Sequence, residues 1–255
     1  MFIQFLEMIP KKIYFILFPP MSGKNRSFSL LHYLAIKSAH VCNPTYKIFL
    51  FCKNEPTGKY WEMIKDSVNV VFIEPPTEVF GNKINHVAHQ SDVVRLRILK
   101  EQGGIYLDMD TITIKSFDEL LTYPAVMGFE GEEKESICNA VIFSEPNNRF
   151  ICEWYNKYKT FSSKNWNTHS TKLPCEMNAT GQYTDSLKVM NYDVFHYPLW
   201  DKKGSIMIWE ETHEFPNAYI HHVWESMNKK YVNRLTLKYI NTVNNTYNRI
   251  ARRYV

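Results

Sequence analysis

The sequence predicts an α/β fold, a sheet of parallel-type strands with helices on both faces. Three observations carry this. Short, continuous apolar runs recur through the first half of the chain, as in strands buried on both sides. Helix-length segments separate them, giving a β-α-β-α order. The 255 residues, 45% hydrophobic and 15% aromatic, suffice for one large core, and no repeat or low-complexity linker divides them.

Residues 12–18 (KIYFILF) form the first apolar run, ended by Pro19, Pro20 and Gly23. A helix is expected from near Ser27, carrying Leu30, Leu31, Leu34 and Ile36. Residues 46–52 (YKIFLFC) are the second strand and 69–73 (NVVFI) the third, with a short helix around Trp61 and Ile64 between them. A helix over about 86–102 closes on Gly103-Gly104, and residues 105–109 make the fourth strand. Beyond it the pattern is irregular. Strands are expected at 125–129 and 140–144, a helix at 147–160 and a long covering loop at 161–183. A late strand at 217–224 and a basic helix at 228–253 complete the reading.

A net charge of +4 suits an anionic small ligand or a membrane surface and is too weak to point to nucleic acid, of which no motif is present. Five scattered cysteines without a CxxC pair indicate neither a disulfide framework nor a zinc knuckle, so a reducing compartment is expected. The apolar N-terminal stretch is interrupted by Glu7, Pro10 and lysines, unlike a membrane span or signal peptide; cytoplasmic action is therefore expected. Asn25, Asn178 and Asn244 head N-x-S/T triplets, read as chance in an Asn-rich chain whose usage suggests an AT-rich bacterial or viral genome.

The chemistry concentrates in residues 91–121, SDVVRLRILKEQGGIYLDMDTITIKSFDELL. Ile105, Tyr106 and Leu107 run through the sheet and leave Asp108-Met109-Asp110 at its carboxyl edge, where ligands of open α/β sheets bind. Residues two apart in an extended chain share a side, so the carboxylates offer oxygen ligands for Mg²⁺ or Mn²⁺. Such an ion can neutralise a departing diphosphate. A D-x-D triplet in isolation is equally an ordinary pair of solvated turn acids. Asp92 and Arg95, three apart on the preceding helix, read either as a surface ion pair or as ligands, Asp92 for sugar hydroxyls and Arg95 for phosphate.

S-D-x-x-R followed by L-x-x-x-G-G-I-Y-x-D-x-D, here Ser91-Asp92, Arg95, Leu99, Gly103 to Tyr106, Asp108 and Asp110, resembles the signature of family 32 glycosyltransferases. Residues 9–13 (IPKKI), Asn139-Ala140 with Glu145-Pro146, Thr180-Gly181 and the histidines of AYIHHVWES are similar to outlying segments of that family. Three departures, Gln182 for the usual Pro, Ser226-Met227 for Ser-Trp and an opening strand without His-Gln, bear on acceptor and sugar identity and not on the metal site. The resemblance implies a single GT-A domain over 1–255 with a Rossmann-like nucleotide-binding sheet and an irregular C-terminal part. Residues 1–120 would bind nucleotide and metal, 121–227 would face the acceptor, and 228–255 would form the basic helix. It implies a UDP- or GDP-sugar donor, a glycan or protein acceptor, Mn²⁺ or Mg²⁺, and retention of configuration. Asp92, Asp108 and Asp110 would be catalytic, with Asp92, Arg95, Tyr106, Asp108 and Asn139 on the nucleotide-sugar. Asp108, Asp110 and His221 would hold the metal, His222 being the alternative to His221; a buried or surface histidine pair is the plain reading of both.

The run IYLDMDTI also resembles the first motif of haloacid-dehalogenase-type phosphatases, but three strands precede it and no later acidic pair follows. A non-catalytic nucleotide-sugar binder is the third reading. His86 and His89, three apart, lack a carboxylate or cysteine at ligand spacing for zinc. Phe18 and Trp200 are candidate stacking platforms. The basic terminal helix offers a peripheral contact with anionic lipid.

Overall fold

The computed structural model describes residues 8–22 and 27–255; Gly23, Asn25 and the first seven residues lie outside it. Strands β1 (Lys12–Leu17), β2 (Lys47–Cys52) and β3 (Asn69–Phe72) are separated by helix α1 (Leu30–Cys42) and the one-turn α2 (Lys59–Glu62). A small hairpin, β4 (Glu78–Val79) and β5 (Asn82–Lys83), leads into α3 (Val87–Gln102), β6 (Gly104–Leu107) and β7 (Thr111–Thr113). Then come β8 (Ala125–Phe129), β9 (Ile137–Ser144), α4 (Arg149–Lys157), α5 (Leu173–Ala179) and β10 (Lys188–Met190). Helix α6 (Lys202–Trp209), β11 (Ile220–His222), α7 (Lys229–Val232), α8 (Leu237–Thr242) and α9 (Thr246–Ala251) end the chain.

The main sheet has seven strands in the order β10-β8-β9-β6-β1-β2-β3. β6, β1, β2 and β3 are parallel, as their βα connections require, whereas β9 runs antiparallel to both β6 and β8. The alternation along β1 divides the core. Ile13, Phe15 and Leu17 pack with α1 on one face, and Tyr14 and Ile16 with α3 and α4 on the other. Gly103 ends α3 at φ 60°, its N–H bonded to Leu99 O at 3.0 Å. A Cβ there would meet Pro146 N at 2.6 Å, so the sharp entry into β6 demands glycine.

β7 leaves the main sheet to pair antiparallel with β11, in the register Thr111–His222, Ile112–His221 and Thr113–Ile220. Ser38 of α1 accepts the Thr113 N–H at 2.9 Å, tying this ribbon to the first core.

Two expectations are corrected. Residues 161–183 are not one loop: a π-helical turn (Thr168–Lys172) runs into α5, with Pro174 in its first turn. The Trp154 indole anchors that turn on His169 O at 2.8 Å, and buried Met177 holds the helix. Nor is 228–253 one amphipathic helix. Thr236 and Asn245 cap new starts by accepting from the N–H groups of Tyr239 and Asn248, and such side-chain caps break a helix into pieces. The apolar side chains Tyr231, Ile240, Tyr247, Ala251 and Tyr254 are spent in the core. No helix among the described residues is long and apolar enough to cross a membrane.

Candidate active site

The chain leaves β6 at Leu107 and turns, Thr111 N–H closing on Asp108 O at 3.2 Å, so Asp108 and Asp110 flank a turn rather than an extended strand. Their carboxylates still converge. With His222 from β11 they form a group whose ligand atoms lie within 4.8 Å of one another. His222 Nε2 stands 3.3 Å from Asp110 Oδ1, and the Glu225 N–H donates to Asp110 Oδ2 at 2.7 Å. Val223 N–H reaches Asp110 O at 2.9 Å. Asp110 is thus held by residues more than a hundred positions away. Burial works against its charge, but the adjacent His222 outweighs it and lowers the carboxyl pKa to about 2. His222 is reciprocally raised well above the usual imidazole value, Asp110 overcoming burial.

Asp108 is held from the other side. The Tyr106 hydroxyl donates to its Oδ1 at 2.5 Å and Arg95 Nη2 lies 3.2 Å from the same oxygen. Burial raises its pKa and Arg95 opposes the rise.

Behind the acids Arg95, 4% exposed, is fully engaged. Nη2 also pairs with Asp92 Oδ1 at 3.3 Å, Nη1 donates to Asn139 O at 2.6 Å and Nε to Ser91 O at 3.3 Å. Its guanidinium stacks 4.2 Å from the Tyr106 ring centroid. Asn139 Nδ2 donates to Asp92 Oδ1 at 2.7 Å. The Asp92–Arg95 pair is therefore internal, and the Arg95 donors meet protein groups rather than standing open to a phosphate.

His221 is also corrected. Strand alternation turns its side chain to the opposite face of β11 from His222. There it is 1% exposed, its Nδ1 donating to Tyr197 O at 2.8 Å. Burial lowers its pKa to about 4. Phe18 is buried in the second core, so it is no platform. Trp200 is 47% exposed, its indole 3.4 Å from Glu130 Oε1. His86 and His89 pack edge to face beside Trp166, and His89 Nε2 bonds Trp166 O at 3.0 Å.

Sequence reasoning missed the Glu225 N–H clamp and Trp224, whose ring lies 3.9 Å from that of His222. The usable signal was the His-His doublet inside a short apolar strand.

The donor set fits a hard divalent cation: two carboxylates and one imidazole, with the Asp108 and Asp110 side chains 26% and 16% exposed. Fold and site together define a GT-A-type protein with a DXD centre. Residues 31–127 match the glycosyltransferase sugar-binding region containing DXD motif, a span that includes Asp92, Arg95, Asp108 and Asp110. Over that span the chain is similar to the DXD glycosyltransferases, the family that the motif resembles.

It is 32% identical over 235 residues to "Glucan organizing enzyme 1" of Cryptococcus neoformans var. grubii, covering 88% of this chain and 63% of that protein. The chain therefore spans less than two thirds of that relative. Among solved structures, the PaToxG glycosyltransferase aligns with a TM-score of 0.50 at 19% identity, covering 95% of this chain and 86% of its own. The glycosyltransferase GlyE of Streptococcus pneumoniae TIGR4 aligns at 0.51 and 10% identity, covering 96% and 60%. Identities this low speak for the fold.

Proposed function

We propose that the chain is a metal-dependent hexosyltransferase that moves a sugar from a UDP- or GDP-linked donor to a hydroxyl of a glycan or protein acceptor, with retention of configuration. The observation that carries this reading is the convergence of Asp108, Asp110 and His222 at the carboxyl edge of a parallel strand, backed by the buried Asp92–Arg95–Asn139 network. Asp108, Asp110 and His222 would hold Mn²⁺ or Mg²⁺, which when bound supplies positive charge beside the diphosphate.

The protein's own groups divide the remaining work. Arg95 and Tyr106 fix the Asp108 carboxylate, while Asn139 and Arg95 fix that of Asp92 for the donor sugar's hydroxyls. Gln90, Pro19, Asn54 and Thr77 line a cleft of about 440 Å³ at the carboxyl ends of β1 to β3, of a size for the nucleotide. Residues 1–120 would thus serve the nucleotide and supply two of the three metal ligands, while 121–227 would bring His222 and face the acceptor.

The test is release of nucleoside diphosphate from a panel of UDP- and GDP-sugars with Mn²⁺ and candidate acceptors, the product's anomeric configuration being read by NMR. Hydrolysis of p-nitrophenyl phosphate with Mg²⁺, without turnover of any nucleotide-sugar, would instead establish the phosphatase reading. Tight nucleotide-sugar binding without turnover across the acceptor panel would establish a binder.

A further inference from the structure

Immediately behind the DXD centre lies a second cluster of different chemistry. Cys138 of β9, His196 and His222 are 3%, 0% and 7% exposed. One ligand atom from each lies within 4.8 Å of the others. The cluster draws on three segments locked together by the backbone. Cys138 is the register partner of Gly128 in β8, and His222 N–H bonds Phe195 O at 3.2 Å, next to His196. Gly128 makes room for the His196 ring: a Cβ at that position would stand 3.2 Å from its Cδ2 and 3.4 Å from its Nε2.

Both ring nitrogens of His196 are buried without a hydrogen-bond partner among the described residues. Leaving even one buried polar group unpaired costs about 1–3 kcal/mol, and native folds rarely tolerate it without an ion or a water to meet it. Here two such atoms sit on one ring, beside a thiol.

We infer that Cys138, His196 and His222 form a second divalent-cation site, one that takes a thiophilic ion such as Zn²⁺ or Co²⁺. Sulfur and imidazole donors select such ions, whereas the oxygen-rich Asp108–Asp110 pair selects Mn²⁺ or Mg²⁺. Tetrahedral zinc with bonds of about 2.0–2.3 Å sets donors roughly 3.3–3.8 Å apart, so the three side chains need close by no more than about 1 Å each. On binding, the Cys138 thiol and the His222 ring nitrogen that faces the cluster each give up a proton to solvent as the sulfur–metal and nitrogen–metal bonds form. Three protein donors leave one tetrahedral position for a solvent-derived ligand. The imidazole of His222 is common to both groups, which places the soft site against the back of the hard one.

Anaerobic titration of the full chain with Co²⁺ tests this through the near-ultraviolet thiolate-to-cobalt charge-transfer band. We expect the band to saturate at about one equivalent, to be lost in Cys138→Ser and in His196→Asn, and to persist in Asp108→Asn, whose change confines itself to the hard site. Absence of the band in the unmodified protein overturns the inference, as does its survival in Cys138→Ser. Should the variants fail to fold by circular dichroism, X-ray absorption on the zinc-loaded unmodified protein decides. A sulfur shell at about 2.3 Å supports the site, and a shell of nitrogen and oxygen alone refutes it. Neither readout depends on sugar transfer, so failure here leaves the proposed activity untouched, and the reverse.

Discussion

Replacing Arg95 by methionine removes the cation that pairs with both Asp92 and Asp108, the first of which is 5% exposed. Methionine roughly fills the aliphatic volume but leaves the Asp92 carboxylate with the Asn139 amide in place of the ion pair, while Asn139 O and Ser91 O lose their guanidinium donors. Deleting one partner of a buried pair costs about 3–5 kcal/mol, because the remaining charge is uncompensated. For a chain of this size each kcal/mol moves the melting temperature by about 2–4 °C, which gives a fall of about 6–20 °C. Urea unfolding followed by tryptophan fluorescence, with a thermal melt alongside, measures both. The mechanism also dictates the double variant. Asp92→Asn with Arg95→Met removes the stranded charge and should be more stable than Arg95→Met alone, by about 1 kcal/mol or more. A single variant within about 1 kcal/mol of the unmodified protein, or a double variant no better than the single, would refute the argument that charge compensation holds this layer together.

Asp110→Asn keeps an oxygen able to accept the Glu225 N–H, so circular dichroism should be unchanged while nucleotide release falls by about a hundred- to a thousandfold. His222→Ala should weaken Mn²⁺ binding in an electron paramagnetic resonance titration by at least about tenfold, and His221→Ala should leave it within about threefold; equal losses would contradict the placement of the two rings. Gly104→Ala should cost at least about 1–3 kcal/mol in a melt, since the residue sits at φ 113° and a Cβ would meet Tyr14 Cε2 at 2.6 Å and Lys12 O at 2.9 Å. Nucleotide-sugar with Mn²⁺ at about a hundred times Kd should raise stability by about 2.7 kcal/mol; persistence of that shift in excess EDTA would argue against a metal-bridged donor.

What the sequence disclosed follows the range of the forces involved. Asp108 and Asp110 were legible because the apolar run GIYL and the Gly103-Gly104 stop are local signals, and they place the acids at a strand end whatever the rest does. The choice between His221 and His222 was not legible. Alternation guarantees that one faces inward, but the pairing of Thr111 with His222 decides which, and that register is fixed by residues 111 positions apart. Neither reading of Arg95, surface ion pair or phosphate ligand, included a buried guanidinium. Its burial comes from β9, whose antiparallel insertion beside β6 no local pattern announces. In the terminal segment the break into short helices is itself a local signal, since Thr236 and Asn245 are both N-cap residue types.

The ribbon of β7 and β11 carries a consequence for dissecting this protein. The stretch 31–127 holds both acids of the DXD triplet, yet the groups that grip Asp110, the His222 ring and the amides of Val223 and Glu225, arrive only near the far end of the polypeptide. A fragment ending at the motif would therefore possess the letters of the signature without the hand that holds them in place. Proteolytic nicking in the exposed stretch 210–217, with the two pieces still associated, should in turn be far gentler than removal of everything beyond it.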